Sequence, residues 1–255
     1  LRACLIAKVV LLSTGGAIAQ ESRFPPCPIN HSPEWTQCYG IVTPLKGEIY
    51  EGEWVKGKLN GRGRMQLRSG AQYQGSFLDG KPHGQGTYVF RNGDTYAGEV
   101  DNDRISGFGV LKYANGDEYS GDFNNSIMHG FGIFKTANGL RYKGQFVNGQ
   151  WQGEGYLEYP DGSKFIGSFV DSKLHGYGVL IGGDGAQYSG TFVQGYRHGR
   201  GAYSNQNGVR YEGGFEYNQF NGSGALLILD TLKYFGTFRG GKKDGKGSLS
   251  YLNVT

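Results

Sequence analysis

Residues 73–95 read YQGSFLDGKPHGQGTYVFRNGDT, and this stretch decides the fold. It holds five glycines, two tyrosines and two phenylalanines, so the most flexible residue type stands beside the most rigid ones. Tyr73, Gly75 and Phe77 alternate with polar residues, and this period of two places them on one face of a β-strand. Tyr88 and its neighbours alternate in the same way after the glycines. The stretch therefore predicts a β-hairpin.

Two turn signals bound the strands of this stretch. Gly80 and Gly84 mark the first turn, and Asn92-Gly93 is a pair typical of a two-residue hairpin turn. Glycine supplies the positive φ that such turns require without a steric cost. A glycine between aromatic residues, such as Gly75, leaves a gap that a ring from a neighbouring strand can cover. Such a sheet would have a thin core of rings lying over glycines.

The same pattern returns every 23 residues along most of the chain. A tyrosine heads each unit, with Phe165 as the exception, and a glycine follows two residues later in every unit. The tyrosines at this position are Tyr50, Tyr73, Tyr96, Tyr119, Tyr142, Tyr188, Tyr211 and Tyr234. Nine units in phase predict a tandem array. The predicted fold class is all-β: an elongated, twisted, single-layer antiparallel sheet of consecutive β-hairpins.

The residues of this pattern also carry a family resemblance. The motif Y-x-G-x-F-x-x-G-K-x-H-G-x-G-x-Y, found at residues 73–88, resembles the MORN repeat (membrane occupation and recognition nexus). The resemblance covers residues 50–255 as nine repeats and implies the same elongated sheet of hairpins. It further implies functions in which family members take part: phospholipid association, protein scaffolding and homodimerisation.

Four units depart from the pattern at the first turn. Non-glycine residues rarely adopt positive φ, so these units are expected to use a different turn. The residues that replace the turn glycine are Asp103, Ser126, Ser172 and Asn218.

Residues 1–19 are predicted to be a secretory signal peptide. Arg2 and Lys8 precede a short apolar stretch, and residues 17–19, Ala-Ile-Ala, fit the small-x-small pattern of a cleavage site. The alternative is a disordered or core-forming start. The signal predicts an exported protein, periplasmic or extracellular, with membrane association left open.

Residues 20–49 are predicted to form an N-terminal cap. Once the signal is removed, Cys27 and Cys38 remain, and in an oxidising compartment they most simply form one disulfide. A metal site would need two further ligands, and His31 alone does not complete one. Residues 36–49 continue the pattern as a half-repeat, so the bridge would tie a loop over the first sheet edge.

Residue types that carry catalysis do not converge in this sequence. Four histidines share one repeat position, but successive repeats lie about 10 Å apart and metal ligands must lie about 2 Å from one ion. They are His83, His129, His175 and His198. Gly-x-Gly pairs resemble phosphate loops, yet no helix follows them. The sequence predicts a non-enzyme with no catalytic residue, metal, cofactor or small-molecule substrate.

The charge distribution separates the remaining functions. Lys and Arg number 26 against 22 Asp and Glu, and no basic cluster indicates a nucleic-acid partner. The leading prediction is a scaffold for protein–protein interaction or homodimerisation in the cell envelope. The alternative is a peripheral phospholipid-binding module, although a polybasic lipid site needs about four to eight clustered cations. Sugar binding on exposed aromatic residues is a third hypothesis.

The C-terminal repeats carry the predicted interface. Elsewhere the second face of the sheet is expected to be polar, because one second-strand position holds Gln66, Lys112, Lys135 and Glu158. Near the C-terminus, apolar residues are expected in place of polar ones on that face. Contiguous exposed apolar surface marks interfaces, and a two-fold contact would cover both copies. A hydrophobic end cap is the alternative. The predicted interface residues are Leu227, Leu229, Phe235 and Leu252.

Overall fold

The alternation of period two in the sequence produces β-strands from Cys38 to Tyr251. In the computed structural model the described part of the chain is residues 22–251, and it contains one sheet of 19 antiparallel strands. The strands are, in chain order, β1 (Cys38–Val42), β2 (Ile49–Val55), β3 (Lys58–Gln66), β4 (Gln72–Leu78), β5 (Lys81–Val89), β6 (Thr95–Asp101), β7 (Arg104–Lys112), β8 (Glu118–Asn124), β9 (Ile127–Lys135), β10 (Arg141–Val147), β11 (Gln150–Glu158), β12 (Lys164–Val170), β13 (Lys173–Ile181), β14 (Gln187–Val193), β15 (Tyr196–Ser204), β16 (Val209–Glu216), β17 (Gln219–Ile228), β18 (Leu232–Arg239) and β19 (Lys242–Tyr251).

The topology is a meander. Each strand pairs with the strands before and after it in sequence, so β1 and β19 are the edges. The predicted single-layer array of consecutive hairpins is confirmed. Strands about 4.8 Å apart give the sheet a path of roughly 85 Å. Residues 22–251 contain no helix that is long and apolar enough to cross a membrane.

The register brings the glycines of successive strands into one row. Gly75 on β4 pairs with Gly86 on β5, which in turn pairs with Gly98 on β6. The tyrosines form a parallel row beside it, because Tyr73 pairs with Tyr88. A bulge follows the glycine pair in each hairpin and increases the local twist.

The rings of the tyrosine row lie over the glycine row and form the core. A Cβ atom on Gly86 would collide with the ring of Tyr73, so only glycine leaves room for it. The Tyr73 hydroxyl donates to the carbonyl of Ser76 at 2.9 Å, which satisfies its polar end. Tyr119 and Tyr142 are fully buried although no second layer covers them. The thin core predicted from the sequence is confirmed, and we call this side of the sheet the aromatic face.

The first turn keeps one geometry in units with and without its glycine. Asp79 and Gly80 have φ of 50° and 83°, as a type I′ turn requires. The expectation of a different turn in four units is wrong. Their non-glycine residues also have positive φ, with values of 67° for Asp103, 64° for Ser126, 62° for Ser172 and 69° for Asn218.

A side-chain hydrogen bond explains how these residues keep the turn. Ser172 Oγ accepts from the backbone N–H of Trp151 in the preceding repeat at 3.0 Å, while its own N–H donates to the Trp151 carbonyl. Ser126 and Asn218 accept in the same way from the equivalent residues of their preceding repeats. Asp103 differs because the equivalent residue is Pro82, which has no N–H. Its carboxylate accepts from the Tyr88 hydroxyl instead, at 2.9 Å.

The second turn is longer than the Asn-Gly pair predicts. Phe90 N–H donates to the Asp94 carbonyl, so the loop contains the three residues 91–93. Gly93 closes a type I turn and has a φ of 90°. This is the three-residue hairpin loop in which the last residue adopts the left-handed conformation. The hairpin is confirmed, whereas the two-residue turn at this point is wrong.

The N-terminal residues cover the first edge of the sheet. Cys27 and Cys38 form a disulfide with a Cα–Cα distance of 4.8 Å. Cys27 N–H donates to the Tyr39 carbonyl on β1, so the segment before the bridge lies along this edge strand. The rings of Trp35 and Trp54 meet edge to face at 5.6 Å beneath it. The predicted signal peptide lies outside the described residues.

Candidate functional site

The candidate site is the face of the sheet opposite the aromatic face, which we call the open face. Nothing in residues 22–251 packs over it, because the sheet has a single layer. Its central row consists of cross-strand partners on successive strands. From β7 to β18 these are Val110, Ser120, Ile133, Lys143, Tyr156, Ile166, Val179, Ser189, Ala202, Glu212, Ala225 and Phe235.

The open face is apolar in the middle of the array, contrary to the expectation that it would be polar there. Phe108, Phe131 and Tyr177 are 55%, 64% and 63% exposed. They lie beside the apolar members of the central row, and together these residues form the middle patch. The middle patch is defined as Phe108, Val110, Phe131, Ile133, Tyr156, Ile166, Tyr177 and Val179.

The sequence position that forms this patch differs from the one on which the prediction of a polar open face rests. That prediction rests on the repeat position of Lys112 and Lys135, which lies in a row nearer the second turn. The informative position lies between the two glycines of each Gly-x-Gly pair. It is aromatic in three repeats and polar in the others, which have Arg62, Gln85, Glu154, Arg200, Ser223 and Lys246.

The exposed aromatic residues are spaced by the sheet. Phe108 on β7 and Phe131 on β9 are two strands apart, or about 10 Å, and Tyr177 on β13 is four strands further. Polar residues stand between them, since Asp122 is the cross-strand partner of Phe108 and Gln145 that of Phe131. Apolar anchors among polar groups are the composition found at protein interfaces.

A row of charges borders the middle patch on the side of the second turn. Lys112 and Lys135 lie 3.7 and 3.4 Å from the carboxylate of Glu118, and Lys164 lies 3.9 Å from that of Glu158. Exposed pairs of this kind stabilise a fold by about 0–1 kcal/mol each. Arg141 lies between Lys135 and Glu158 in the same row, so this border holds four cations and two carboxylates.

A trough crosses the open face from β13 to β18. Its volume is about 480 Å³, within the range of natural ligand sites. Small side chains form its floor, namely Ser189, Ala202, Ser204 and Ala225. Val179 lies at one end and Leu227 at the other, with Arg210, Glu212 and Lys233 on the same side of the sheet.

The predicted interface residues lie at the C-terminal end of this trough. Leu227 is half-buried and lines it, and Phe235 is 60% exposed on the neighbouring strand. Leu229 is not on the strand, because β17 ends at Ile228 and Leu229 occupies a turn with a φ of 52°. Its expected place on the open face by strand alternation is therefore wrong. Leu252 lies outside the described residues.

The tyrosines of the aromatic face are held in their neutral form. Burial raises the pKa of Tyr73, Tyr142 and Tyr188 to about 12 from the usual 10.0. Burial, with the nearby Asp103 carboxylate, raises the pKa of Tyr88 still further. Because burial is the largest cause, the raised pKa values reflect the packing of the rings.

The histidines that share one repeat position do not meet. They stand on different hairpins. His83 Nδ1 lies 3.1 Å from the carboxylate of Asp101 on the adjacent strand, and not near another histidine. Within residues 22–251, no group of three or more His, Cys, Asp or Glu side chains is placed to hold a metal ion.

A comparison of the sequence with models of protein families identifies the repeats. The model of the MORN repeat matches residues 50–72, 73–95, 96–118, 119–141, 142–164, 165–187, 188–210, 211–226 and 234–253. The chain belongs to the MORN-repeat family. This family is a non-enzymatic type of repeat and forms repeat scaffolds that commonly take part in protein or membrane interaction. No curated protein matches the MORN-repeat chain in sequence.

Solved structures resemble this MORN array only loosely. The TCP10 domain of Danio rerio CPAP, in complex with a peptide of STIL, is 11% identical with a TM-score of 0.33, and the match covers 70% of this chain and 84% of that one. The TCP domain of Drosophila melanogaster SAS-4, in complex with a proline-rich motif of Ana2, is 14% identical with a TM-score of 0.34, covering 74% and 96%. Similarity at this level carries no argument about function.

Proposed function

We propose that the protein is a non-enzymatic scaffold of the cell envelope that binds a protein partner through its open face. The observation that carries this proposal is the middle patch, where three aromatic side chains are more than half exposed. Large aromatic side chains exposed among polar groups are typical of protein interfaces. The aromatic face already satisfies the packing of the sheet, so the fold does not need these three residues.

The charges near the middle patch favour a protein over a phospholipid surface. Anionic lipid headgroups attract clusters of cations, at about 1 kcal/mol for each Lys or Arg near the surface. Here Glu118 lies between Lys112 and Lys135, and Glu158 lies between Arg141 and Lys164, so two carboxylates interrupt the row of four cations. A peripheral membrane-binding role is therefore the second candidate, supported by the family and by the cations but opposed by the carboxylates between them.

Export to the envelope is part of the proposal. A disulfide between Cys27 and Cys38 persists in an oxidising compartment and is rare in the cytosol. Residues 1–19 carry the charge, the apolar stretch and the small residues of a secretory signal.

Partner capture tests the proposal. The full chain is coupled to beads and incubated with envelope extract in wild-type form and as the triple variant Phe108→Ser, Phe131→Ser, Tyr177→Ser. The matched control is Leu78→Ser, Tyr217→Ser, Leu249→Ser, which removes three exposed apolar residues outside the middle patch. We expect the wild type and the control to retain the same protein and the patch variant to lose it.

The competing functions give different results in parallel assays. Equal capture by the patch variant would contradict the proposal. Flotation of the protein with anionic vesicles at about 0.15 M salt would favour the membrane role. Loss of a dimer in the patch variant, measured by light scattering, would identify the partner as a second copy of the chain. Binding to a glycan panel through the same residues would favour sugar recognition.

A further inference from the structure

We propose that the trough binds an acidic, apolar peptide segment of a protein partner. This inference rests on the proposed function of the open face and specifies the chemistry of one occupant. It concerns the trough across β13 to β18, which is separate from the exposed aromatic residues Phe108 and Phe131.

The shape of the trough suits a single extended segment. Six strands at about 4.8 Å spacing give it a length of about 24 Å, which an extended chain spans with about seven residues. Ala202 and Ala225 leave the floor low on either side of Glu212, which stands between them in the central row, because neither alanine side chain extends beyond Cβ. A peptide can therefore approach the sheet closely at these two points.

The repeat geometry alone does not create this trough. An equivalent position in the first repeats, between β2 and β5, holds a cavity of only about 150 Å³. Larger side chains fill it there, including Arg64, Gln66 and Gln74. In the first repeats the Arg64 guanidinium is also paired with the carboxylate of Glu51. The space is thus larger in the later repeats than at this position in the first ones.

The charges at the trough favour carboxylates in the occupant. Arg210 and Lys233 are the cross-strand neighbours of Leu227 on either side, so two cations flank one apolar residue. Arg210 lies 3.6 Å from Asp230, but both side chains are 65% exposed and such a pair contributes little. A partner carboxylate can replace it at small cost. Glu212 is the one acidic residue among those lining the trough.

The apolar contacts set the other requirement. Leu227 and Val179 line opposite ends of the trough, and Phe235 stands exposed next to Ala225 in the central row. A segment that alternates apolar and acidic side chains would place the apolar ones against these residues and the acidic ones beside Arg210 and Lys233.

Fluorescence anisotropy with defined peptides tests the proposal on the full chain. The probe is a labelled peptide of about ten residues that alternates leucine and glutamate, long enough to span the trough. We expect saturable binding that weakens as salt is raised, because exposed charge pairs are screened. A leucine–lysine peptide and a serine–glutamate peptide should each bind at least about tenfold more weakly.

Variants locate the binding. Arg210→Glu combined with Lys233→Glu should weaken it at least about tenfold, whereas Lys81→Glu combined with Lys143→Glu, which reverses two exposed lysines outside the trough, should leave it unchanged. Ala202→Trp should abolish binding by filling the floor, and since Ala202 is exposed the unfolding midpoint should be retained. Leu227→Ser should weaken binding without changing its salt dependence.

Three results would overturn the proposal. The first is no binding of the leucine–glutamate peptide to the wild type. The second is equal binding of the control peptides or full binding by folded Ala202→Trp. The third is a wild-type dimer that Ala202→Trp dissociates, which would make a second copy the occupant. If the peptide fails while capture through Phe108, Phe131 and Tyr177 succeeds, only this inference fails; loss of patch-dependent capture is what removes the proposed function.

Discussion

The two faces of this sheet share one backbone but differ in how much their residues can vary. On the aromatic face, Tyr73, Tyr96 and Tyr119 occupy equivalent positions and are almost completely buried. On the open face, the equivalent positions between the glycine pairs hold Gln85 in one repeat and Phe108 in the next. The packing of rings over glycines restricts the first set, whereas no packing restricts the second. The aromatic face holds the fold together, and the open face is available for binding.

Rings can bury one another on a single layer because the repeats interlock. The ring of Tyr119 meets Phe123 of its own repeat at 5.0 Å and Phe146 of the next repeat at 4.9 Å, both edge to face. Pairs in this arrangement contribute about 0.5–1.5 kcal/mol beyond the area they bury. Each repeat therefore depends on its neighbour for part of its core, as in other repeat arrays.

The largest expected difference between the two faces is their response to high pH, which should act through the buried tyrosines of the aromatic face. Burial raises the pKa of Tyr73, Tyr142 and Tyr188 to about 12, against 10.0 in an exposed phenol. The folded chain then binds more protons than the unfolded chain between these values, so stability is complete below pH 10 and falls as the pH rises towards 12. We expect phenolate absorbance of these residues to rise together with loss of the sheet circular dichroism. Ionisation of buried tyrosines in an intact sheet would contradict this.

Removing a ring from each face gives the next largest difference. Tyr142→Ala should destabilise the protein by about 3–5 kcal/mol, because the ring is fully buried. Tyr177→Ala should change stability by no more than about 0.5 kcal/mol, because this ring is exposed on the open face. Urea unfolding measures both. Similar losses for the two variants would show that the open face also supports the fold.

Substitution of a glycine that lies beneath a ring should give the third largest loss of stability. Gly132→Ala places a methyl group against the ring of Tyr119 and should cost about 1–3 kcal/mol. The open-face change Ser120→Ala on the neighbouring strand should be close to neutral. In a Tyr119→Leu background the cost of Gly132→Ala should fall, as a double-mutant cycle would reveal. An unchanged cost would mean that the ring is not the cause.

The non-glycine turns should give the smallest effect. Ser172→Ala removes the hydrogen bond from the Trp151 N–H and should cost about 1 kcal/mol. Ser172→Gly loses the same hydrogen bond, but glycine adopts the positive φ without strain, so the stability of this variant should be closer to that of the wild type. Thermal unfolding compares the two variants. A more stable alanine variant would show that the hydrogen bond does not support the turn.

The sequence predicted the sheet because its two signals agree. Alternation along Tyr73, Gly75 and Phe77 defines a strand face, and recurrence every 23 residues repeats it with no change in register. The disulfide between Cys27 and Cys38 was also predictable, from the expected oxidising compartment and from the two cysteines that follow the predicted signal peptide. These features depend on local chemistry that the chain carries in every repeat.

The turns and the open face were harder to predict because they depend on contacts between repeats. Ser172 keeps a glycine-type turn through a bond to Trp151, a residue 21 positions earlier. Alternation along the strand predicts Leu229 on a strand face, but β17 ends one residue before it. The residue type at Lys112 predicts a polar face, whereas Phe108 lies in a different row of the same face. Only the strand register brings these rows together.

Chemical labelling of tyrosines tests the division between the faces most directly. The free protein and its complex with the captured partner are treated with a phenol-specific nitrating reagent, and the labelled tyrosines are mapped by mass spectrometry. In the free protein, Tyr177 and Tyr217 should react because they are 63% and 67% exposed, whereas Tyr119 and Tyr142 should not. In the complex, Tyr177 alone of the two reactive residues should be protected. Labelling of Tyr119 or Tyr142 in the free protein, or an equally reactive Tyr177 in the complex, would contradict the account.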